Sequence, residues 1–373
     1  MISGIAKSTS RLFPYRIVFE QRLKEPSRAY SLLISALAVV VALFIGGLVI
    51  AQAGGDPLRS YRHIANASFG NIGVFSDTLV KATPLLLVGL ACSVAFRSRL
   101  WNIGAEGQFF VGAFGASVIV LAPVLPAETS PWIFIPVMML AGIVMGAFWG
   151  FIPGFLKAKY NVNEIISTLM MNYIAVAWNN FFIYAVWSES GFQMSPVFTR
   201  NAWLPRLTDY SQLVPAFRGL TTHSGLLFGI LAAVLIWFIL YRSKWGYEIR
   251  LIGDNPQAAR YAGLNITRNT ILVMMLSGGL AGLAGMSEIT GVVHRLQGAI
   301  SPGYGFTGII VAWLAKLNPF AVILVSILFG ALILAGREIQ PSGIPKMIQG
   351  VILVCLIASD YFLRYQIRIV RRE

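Results

Sequence analysis

The chain has 373 residues, of which 57% are hydrophobic and 12% are charged, and its mean hydropathy is +0.72. A water-soluble protein of this length needs more polar surface, so the composition predicts an all-α integral membrane protein. The net charge of +14 does not indicate nucleic-acid binding, because no basic stripe with interleaved aromatic residues lies outside the apolar segments. Lysine and arginine in this proportion are typical of cytoplasmic loops.

Ten apolar segments have about the length of a membrane-spanning helix. They are residues 31–53, 79–96, 109–125, 132–156, 165–187, 223–241, 271–292, 305–317, 319–336 and 345–363. The eighth is too short to cross alone, so it is either a half-helix or continues through Asn318 and Pro319 as a broken helix. If both termini are cytoplasmic, the cytoplasmic segments hold 20 lysine and arginine residues and the outer segments hold eight, when Lys316 and Lys346 at span ends are counted with these segments and Lys81 is left inside a span. This ratio predicts that orientation.

The two ends of the chain are basic tails outside the spans. Residues 1–30 form a partly amphipathic cytoplasmic tail that we expect to lie along the membrane surface, and residues 364–373 form a second cytoplasmic tail. No short apolar segment with a small-residue cleavage site follows the first tail, so the first span is interpreted as an uncleaved anchor. The transmembrane domain is then residues 31–363.

A polar stretch between the sixth and seventh spans has the sequence of a short capped helix. Asn255 can cap this helix, Pro256 can begin its first turn, and Gly263 can end it. The orientation places residues 255–263 in the cytoplasm. Because a membrane protein has little structural need for such a helix, we predict that a soluble partner acts on it.

Residues 101–108 are a polar, glycine-containing break just before the third span. Such irregular backbone at membrane depth is tolerated only where it is buried in protein or lines a wet cavity. Glu106 is therefore either a residue of a polar pathway or an acid in a cytoplasmic turn, paired with Arg97 or Arg99, and the sequence leaves both interpretations open. In the fifth span, Asn163 can cap the helix, and Asn172 either bonds to a neighbouring helix or lines the pathway.

A second glycine-rich break, residues 301–306, precedes the eighth span and follows Glu288 in the seventh. Each half of the chain thus has two spans, a polar break and three further spans, and the two breaks follow spans of opposite direction. This pattern predicts an inverted repeat of five plus five spans with broken helices beside a midplane pathway. Glycines at every fourth position, Gly142 to Gly154, together with Gly278 and Gly282, predict close helix packing and no chemistry.

The sequence offers no catalytic or metal site. It has no Walker A motif, no grouping of serine, histidine and aspartate, and no metal-ligand spacing, so we expect neither an enzyme nor a cofactor in this chain. Cys92 and Cys355 lie in apolar runs and predict no disulfide. The three histidines, His63, His223 and His294, are interpreted as ordinary loop or interface residues.

Several motifs together resemble those of one transporter family. They are Asn102–Gln108, Asn163–Ile166, Leu169–Tyr173, Gly253–Pro256, Ala258–Arg260 with Gly263, Gly303–Ile309 and Asn318–Pro319. With these motifs the chain, after its first 30 residues, resembles the permease subunits of bacterial ATP-binding-cassette importers of the branched-chain amino acid, ribose and nucleoside group. The first motif resembles the nucleoside branch. Trp313 departs from the smaller residue expected in the helix after Gly308.

The resemblance implies a subunit of an ATP-driven nucleoside importer in the bacterial inner membrane. The implied partners are a second homologous permease, a cytoplasmic ATPase that binds ATP and magnesium, a periplasmic or lipid-anchored binding protein, and membrane lipid. For the translocation pathway we select Trp101, Asn102, Glu106, Gln108, Asn172, Glu288 and Trp313. For ATPase coupling the resemblance implies Gly253, Asp254, Asn255, Pro256, Ala258, Ala259, Arg260 and Gly263.

Other functions remain open at this point. The same machinery could import a sugar or an amino acid. An ion-coupled secondary transporter could use Glu106, Glu288 and Asp360 as relay groups, although it would not need the capped cytoplasmic helix. A non-transporting scaffold is disfavoured by the polar breaks at membrane depth.

Overall fold

The structure is a computed structural model that describes residues 15–21, 27–189, 191–336 and 343–371. In these ranges the chain is mostly helical. The helices are α1 (Arg28–Gln52), α2 (Pro57–Phe69), α3 (Ile72–Arg97), α4 (Ala105–Leu121), α5 (Pro131–Tyr160), α6 (Glu164–Ala185), α7 (Gly225–Arg242), α8 (Lys244–Asp254), α9 (Pro256–Tyr261), α10 (Ile266–Glu288), α11 (Tyr304–Leu314), α12 (Pro319–Ala335) and α13 (Ile344–Arg364). The strands are β1 (Tyr15–Gln21) and β2 (Tyr365–Arg371).

The chain divides into two compact units, one made of residues 1–57 and 346–373 and the other of residues 58–345. In the first unit, β1 and β2 pair antiparallel, with Ile17 opposite Ile369 and Phe19 opposite Ile367. The expectation of an all-α chain is therefore wrong for residues 15–21 and 365–371, while the position of the tails at the membrane surface stays a prediction. Apolar residues alternate in both tails, and this period of two suits a strand, but only a partner distant in sequence reveals the pairing.

Each of the ten apolar segments contains one α-helix of the structure, and α10 continues into a π-helical turn, Ile289–Val293. Five helical segments are long and apolar enough to cross a membrane: Leu33–Gln52, Ile72–Arg97, Pro131–Tyr160, Gly225–Arg242 and Ile266–Val293. Shorter apolar helices include α4, α11 and α12. The count of ten spans, their orientation and the inverted repeat therefore stay predictions. The amphipathic helix α2 lies between the first two predicted spans, where the sequence analysis predicted no helix.

The centre of the larger unit is built on α3 and α10, whose most apolar windows are 94% and 78% buried. Helix α10 packs against α5 through glycines. The space beside Gly282 is filled by the Gly142 carbonyl and the Gly146 Cα, so a Cβ at Gly282 would collide with backbone. Likewise, a Cβ at Gly278 would collide with the carbonyl oxygen of Gly146. The prediction that these glycine repeats serve close packing is confirmed.

The eighth predicted span is a short helix, α11, and a turn connects it to α12, which is the ninth predicted span. Helix α11 ends at Leu314, and Lys316 and Leu317 both adopt left-handed backbone angles. Asn318 then caps α12, and its side chain accepts a hydrogen bond from the backbone N–H of Phe320. With 11 residues, α11 is about 16 Å long, roughly half the thickness of a bilayer.

Candidate pathway and coupling sites

The capped helix predicted at residues 255–263 is present as α9. The Asn255 side chain accepts hydrogen bonds from the N–H groups of Gln257 and Ala258, both at 3.0 Å, and Pro256 is the first helical residue. The chain leaves the helix through Gly263, whose φ of +74° favours glycine. The predicted cap, first turn and end are all confirmed.

The exposed surface of α9 includes one residue that the sequence analysis did not single out. Ala259 is buried, whereas Asp254, Asn255, Pro256 and Arg260 are exposed. The missed residue is Tyr261, which is 93% exposed. A tyrosine at the end of a short polar helix has no local feature that marks it as exposed.

The helix before α9 is held against the end of α3. At Gly253, near the end of α8, a Cβ would collide with the carbonyl oxygen of Arg97, the last residue of α3. Glycine is therefore required at this position for close contact of the two backbones. The contact joins α8 to the chain that leads into the polar break at residues 101–104.

Within this polar break Asn102 is fully buried, and both polar atoms of its side chain form hydrogen bonds. The Asn102 amide nitrogen donates to Gln108 Oε1 and to Ser277 Oγ, both at 2.8 Å. The Asn102 amide oxygen accepts from the Gly104 N–H at 3.0 Å, and Ser277 donates onward to the Ala91 carbonyl at 2.7 Å. One asparagine thus connects the end of α3, the start of α4 and the middle of α10.

Asn172 of α6 holds the same break from the other side. Its amide oxygen accepts from the Gly107 N–H at 2.7 Å, and its nitrogen donates to the Ile103 carbonyl at 2.9 Å. The side chain is therefore bonded to the backbone of a neighbouring segment. Asn163 caps α6, as predicted, by accepting from the N–H of Ile165 at 2.9 Å.

The two predicted breaks meet at Glu106, but residues 105–108 already belong to α4 and residues 304–306 to α11, so the irregular backbone is limited to residues 101–104 and 301–303. Glu106 is buried in the first turn of α4, and its carboxylate accepts a hydrogen bond from the Gly305 N–H at 2.5 Å. A Cβ at Gly305 would collide with the Glu106 backbone, so the glycine permits the contact. A carboxylate on the first turn of a helix is also favoured by the helix dipole.

An aromatic cluster covers the far end of α11. The rings of Trp101 and Trp313 stack, with centroids 5.7 Å apart and planes 26° apart, and Phe96 lies 5.3 Å from Trp101. Trp101 is 40% exposed. The unexpected tryptophan at position 313 therefore has a partner, and the pair offers a partly exposed π surface.

Glu288 is separate from the hydrogen bonds around Asn102, because the α10 residue that Asn102 binds is Ser277. It follows Ser277 by 11 residues on α10, which corresponds to about 16 Å along the helix. Its carboxylate lies 3.3 Å from the Lys81 ammonium, and both side chains are at least 92% buried. The structure thus divides the selected residues into a group around the polar break and a separate ion pair.

Near this ion pair lies a set of residues that sequence reasoning missed. Arg206 donates to the Gly291 carbonyl and to His294 Nε2, both at 2.8 Å, and His294 stacks on Trp203 with centroids 3.7 Å apart. Because an arginine cannot accept a hydrogen bond, His294 carries its proton on Nδ1. The residues are far apart in sequence and show no spacing, so only the fold brings them together.

His294 is neutral at physiological pH. Burial, and next the charge of Arg206, lowers the pKa of His294 to about 4. The charged groups of this region are thus the lysine, arginine and carboxylate side chains.

Comparison with known proteins identifies the family. Residues 74–357 match the family described as branched-chain amino acid transport system / permease component. The chain is 35% identical to the guanosine ABC transporter permease protein NupP of Bacillus subtilis, over 91% of this chain and 96% of that protein. It is 32% identical to the glucose ABC transporter permease protein TsgB13 of Haloferax volcanii, over 89% of each.

A second Bacillus subtilis protein, the guanosine ABC transporter permease protein NupQ, is 26% identical over 68% of this chain and 78% of that protein. Among solved structures, a metal-chelate type ABC transporter in an inward-facing conformation matches with a TM-score of 0.45 and 16% identity, over 88% of this chain and 99% of that chain. The family match and the relationship to NupP lead to one conclusion. This chain belongs to the branched-chain amino acid transport system / permease component family.

Proposed function

We propose that this chain is a transmembrane subunit of an ATP-driven nucleoside importer. The observation that carries the proposal is the likeness to a guanosine permease over 91% of the chain. The chain itself forms part of the pathway and has no ATPase site; ATP and magnesium bind to a cytoplasmic partner. A binding protein, periplasmic or lipid-anchored, delivers the nucleoside.

In this proposal the chain crosses a bacterial inner membrane ten times, with both termini in the cytoplasm. Its spans form two inverted halves, and the two polar breaks are their corresponding parts. The bond between Glu106 and the Gly305 N–H supports this arrangement, because it brings the starts of α4 and α11 together. Broken helices that meet inside a bundle are typical of transport pathways.

The second permease of the complex is a homologue of this chain. The match to both NupP and NupQ, two guanosine permeases of one organism, supports a pathway built from two different but related subunits. Each subunit would contribute one side of the pathway. In this chain we assign that side to the polar break and to the aromatic pair Trp101 and Trp313.

A neutral nucleoside suits these groups. A purine or pyrimidine base stacks on aromatic rings, and the partly exposed Trp101 offers such a surface. Asn102, Gln108 and Asn172 hold the break in shape through their hydrogen bonds, while Glu106 fixes it to α11. In the proposed pathway these four side chains thus hold the surrounding backbone in place and do not need to contact the nucleoside.

ATPase coupling is assigned to α9. A rigid, capped helix transmits force better than a loop, and the exposed Tyr261 is a suitable anchor for a groove on the ATPase, since buried aromatic residues commonly dominate interface energies. Motion of α9 would pass through α8 and the contact of Gly253 with Arg97 to the polar break. This route connects the ATPase to the pathway within one chain.

A sugar is the second candidate substrate, favoured by the likeness to a glucose permease over 89% of the chain. Nucleosides and sugars are both neutral and both carry several hydroxyl groups. An ion-coupled carrier gains no such support, because NupP, NupQ and TsgB13 are all ABC transporter permeases.

The test of coupling is cysteine cross-linking between α9 and the ATPase in the purified complex. We expect Tyr261→Cys to cross-link to the ATPase and Tyr261→Ala to reduce the ATPase stimulation caused by the loaded binding protein. Tyr247→Ala is a matched control, since Tyr247 is also an exposed tyrosine but lies on α8. A chain that purifies without any ATPase, or a Tyr261→Ala complex with normal stimulation, would contradict this assignment.

A further inference from the structure

A pocket of about 320 Å³ lies beside the first turns of α3, and no residue of the polar break lines it. Its polar lining consists of Asp77, Lys81, Arg206 and Thr221, with Gly291 and Leu334 among the other lining residues. Since Asp77 precedes Arg97 by 20 residues on α3, the pocket is about 30 Å from the end that contacts α8. Its volume is at the lower end of the range of about 300–1,000 Å³ for small-molecule pockets.

The charges around this pocket sum to zero. Lys81 is paired with Glu288, and Arg206 balances Asp77. The neighbouring His294 is neutral, and the nearby Arg200 forms an ion pair with Asp209 at 3.0 Å. A pocket with charged groups but zero net charge can form strong hydrogen bonds without attracting one sign of charge. It therefore suits a neutral polar solute better than an anion such as a phosphate ester.

Two of the lining groups have hydrogen-bonding capacity to spare. Asp77 accepts a hydrogen bond from the Thr221 hydroxyl at 2.5 Å through Oδ1, and its other oxygen, Oδ2, has no hydrogen-bond partner among the described residues. Lys81 donates to Glu288 at 3.3 Å and has two further N–H groups. The pocket thus contains a carboxylate oxygen of Asp77 that can accept hydrogen bonds and an ammonium group of Lys81 that can donate them.

We propose that this pocket binds the vicinal hydroxyl groups of a neutral sugar ring, such as the ribose of a nucleoside. Asp77 accepts hydrogen bonds from the two hydroxyl groups, and Lys81 donates to one of their oxygens. Carboxylates commonly bind ribose hydroxyls in this way. The proposal rests on the proposed function, and it assigns substrate recognition to a site remote from the aromatic pair.

The test compares a ribonucleoside with its 2′,3′-dideoxy analogue. The full complex is reconstituted in proteoliposomes with ATP, and the binding protein is saturated by each compound in turn. The measured quantity is the uptake ratio, which is the uptake rate of the ribonucleoside divided by that of the dideoxy analogue. Saturation ensures that differences in delivery by the binding protein do not determine this ratio. In the unaltered complex we expect faster uptake of the ribonucleoside. Asp77→Asn, which keeps the shape but loses the charge, lowers the uptake ratio about tenfold, as expected for loss of hydrogen bonds to a charged acceptor.

Glu128→Gln is the matched control. Glu128 is an exposed carboxylate outside the pocket, next to Ala127, whose carbonyl accepts from Asn201, so its replacement should leave the ratio unchanged. If Asp77→Asn does not assemble with its partners, Thr221→Val serves instead, because it removes the hydroxyl that orients the Asp77 carboxylate. We expect this variant to lower the ratio as well.

The outcomes separate the two proposals. The pocket assignment is overturned if the uptake ratio is one in the unaltered complex, or if the Asp77→Asn complex has the same ratio as the unaltered complex. Either result leaves nucleoside import intact. If glucose is imported and nucleosides are not, the substrate proposal fails, and glucose with its 2-deoxy analogue then tests the pocket by the same criterion. Import of neither compound contradicts both proposals.

Discussion

Replacement of Asn172 by alanine should lower the free energy of unfolding of the larger unit by more than the same replacement of a half-buried asparagine on α6. The side chain satisfies two backbone groups of the polar break, the Gly107 N–H and the Ile103 carbonyl. The bond to the Gly107 N–H is buried, the bond to the Ile103 carbonyl is partly buried, and Asn172 itself is 4% exposed. A buried polar group left without its partner costs about 1–3 kcal/mol, so loss of the buried bond alone should lower the free energy of unfolding by this amount, and loss of the partly buried bond should add to it.

The assay is equilibrium unfolding of the purified chain in mixed micelles, followed by tryptophan fluorescence. Asn180→Ala is the matched control, since Asn180 is on the same helix and only half-buried. Its free energy of unfolding should change by no more than about 0.5 kcal/mol. Equal effects of the two substitutions would refute the reasoning that Asn172 supports the break.

Three further predictions concern helix packing, the buried ion pair and pH. Gly282→Ala should cost about 1–3 kcal/mol of unfolding free energy, because its Cβ would collide with the Gly142 carbonyl. Lys81→Met should cost about 3–5 kcal/mol, because it removes the cation that is bonded to the buried Glu288 carboxylate, and adding Glu288→Leu should restore most of the loss. His294 has a pKa lowered to about 4, so the stability that its neutral form contributes is complete above pH 6.5 and is lost as the pH falls towards 4; His294→Gln should flatten this part of the unfolding profile.

These three predictions use the same unfolding assay, and each has its own contradiction. The packing argument fails if Gly282→Ala is as mild as Gly350→Ala, where a Cβ would meet open space. The ion-pair argument fails if the double variant is no more stable than Lys81→Met. An unchanged pH profile in the His294→Gln variant would contradict the burial of the neutral ring.

The sequence predicted features that depend on local chemistry. The caps at Asn163 and Asn255 follow from a side-chain oxygen two or three residues before a free N–H, which is visible in the sequence alone. The glycine repeat on α5 likewise predicted close packing, because its spacing places four small residues on one helix face. Both features confirmed the expected local structure.

Features that depend on partners distant in sequence were not predictable. The bond of Glu106 to Gly305 joins residues 199 positions apart, and the pairing of Ile17 with Ile369 joins the two ends of the chain. The contact of Arg206 with His294 depends on a segment that folds back over the end of α10. The hydrophobic pattern identifies the helices but contains no information about which of their polar residues meet.

The central claim is tested most directly by guanosine uptake into proteoliposomes that contain this chain, its second permease and the ATPase, with the binding protein outside. We predict uptake that requires ATP hydrolysis, persists without ion gradients and is lost when Asn255 and Pro256, which begin α9, are both replaced by glycine. Uptake driven by a proton or sodium gradient without ATP, or unaffected by the loss of the capped helix, would contradict the account.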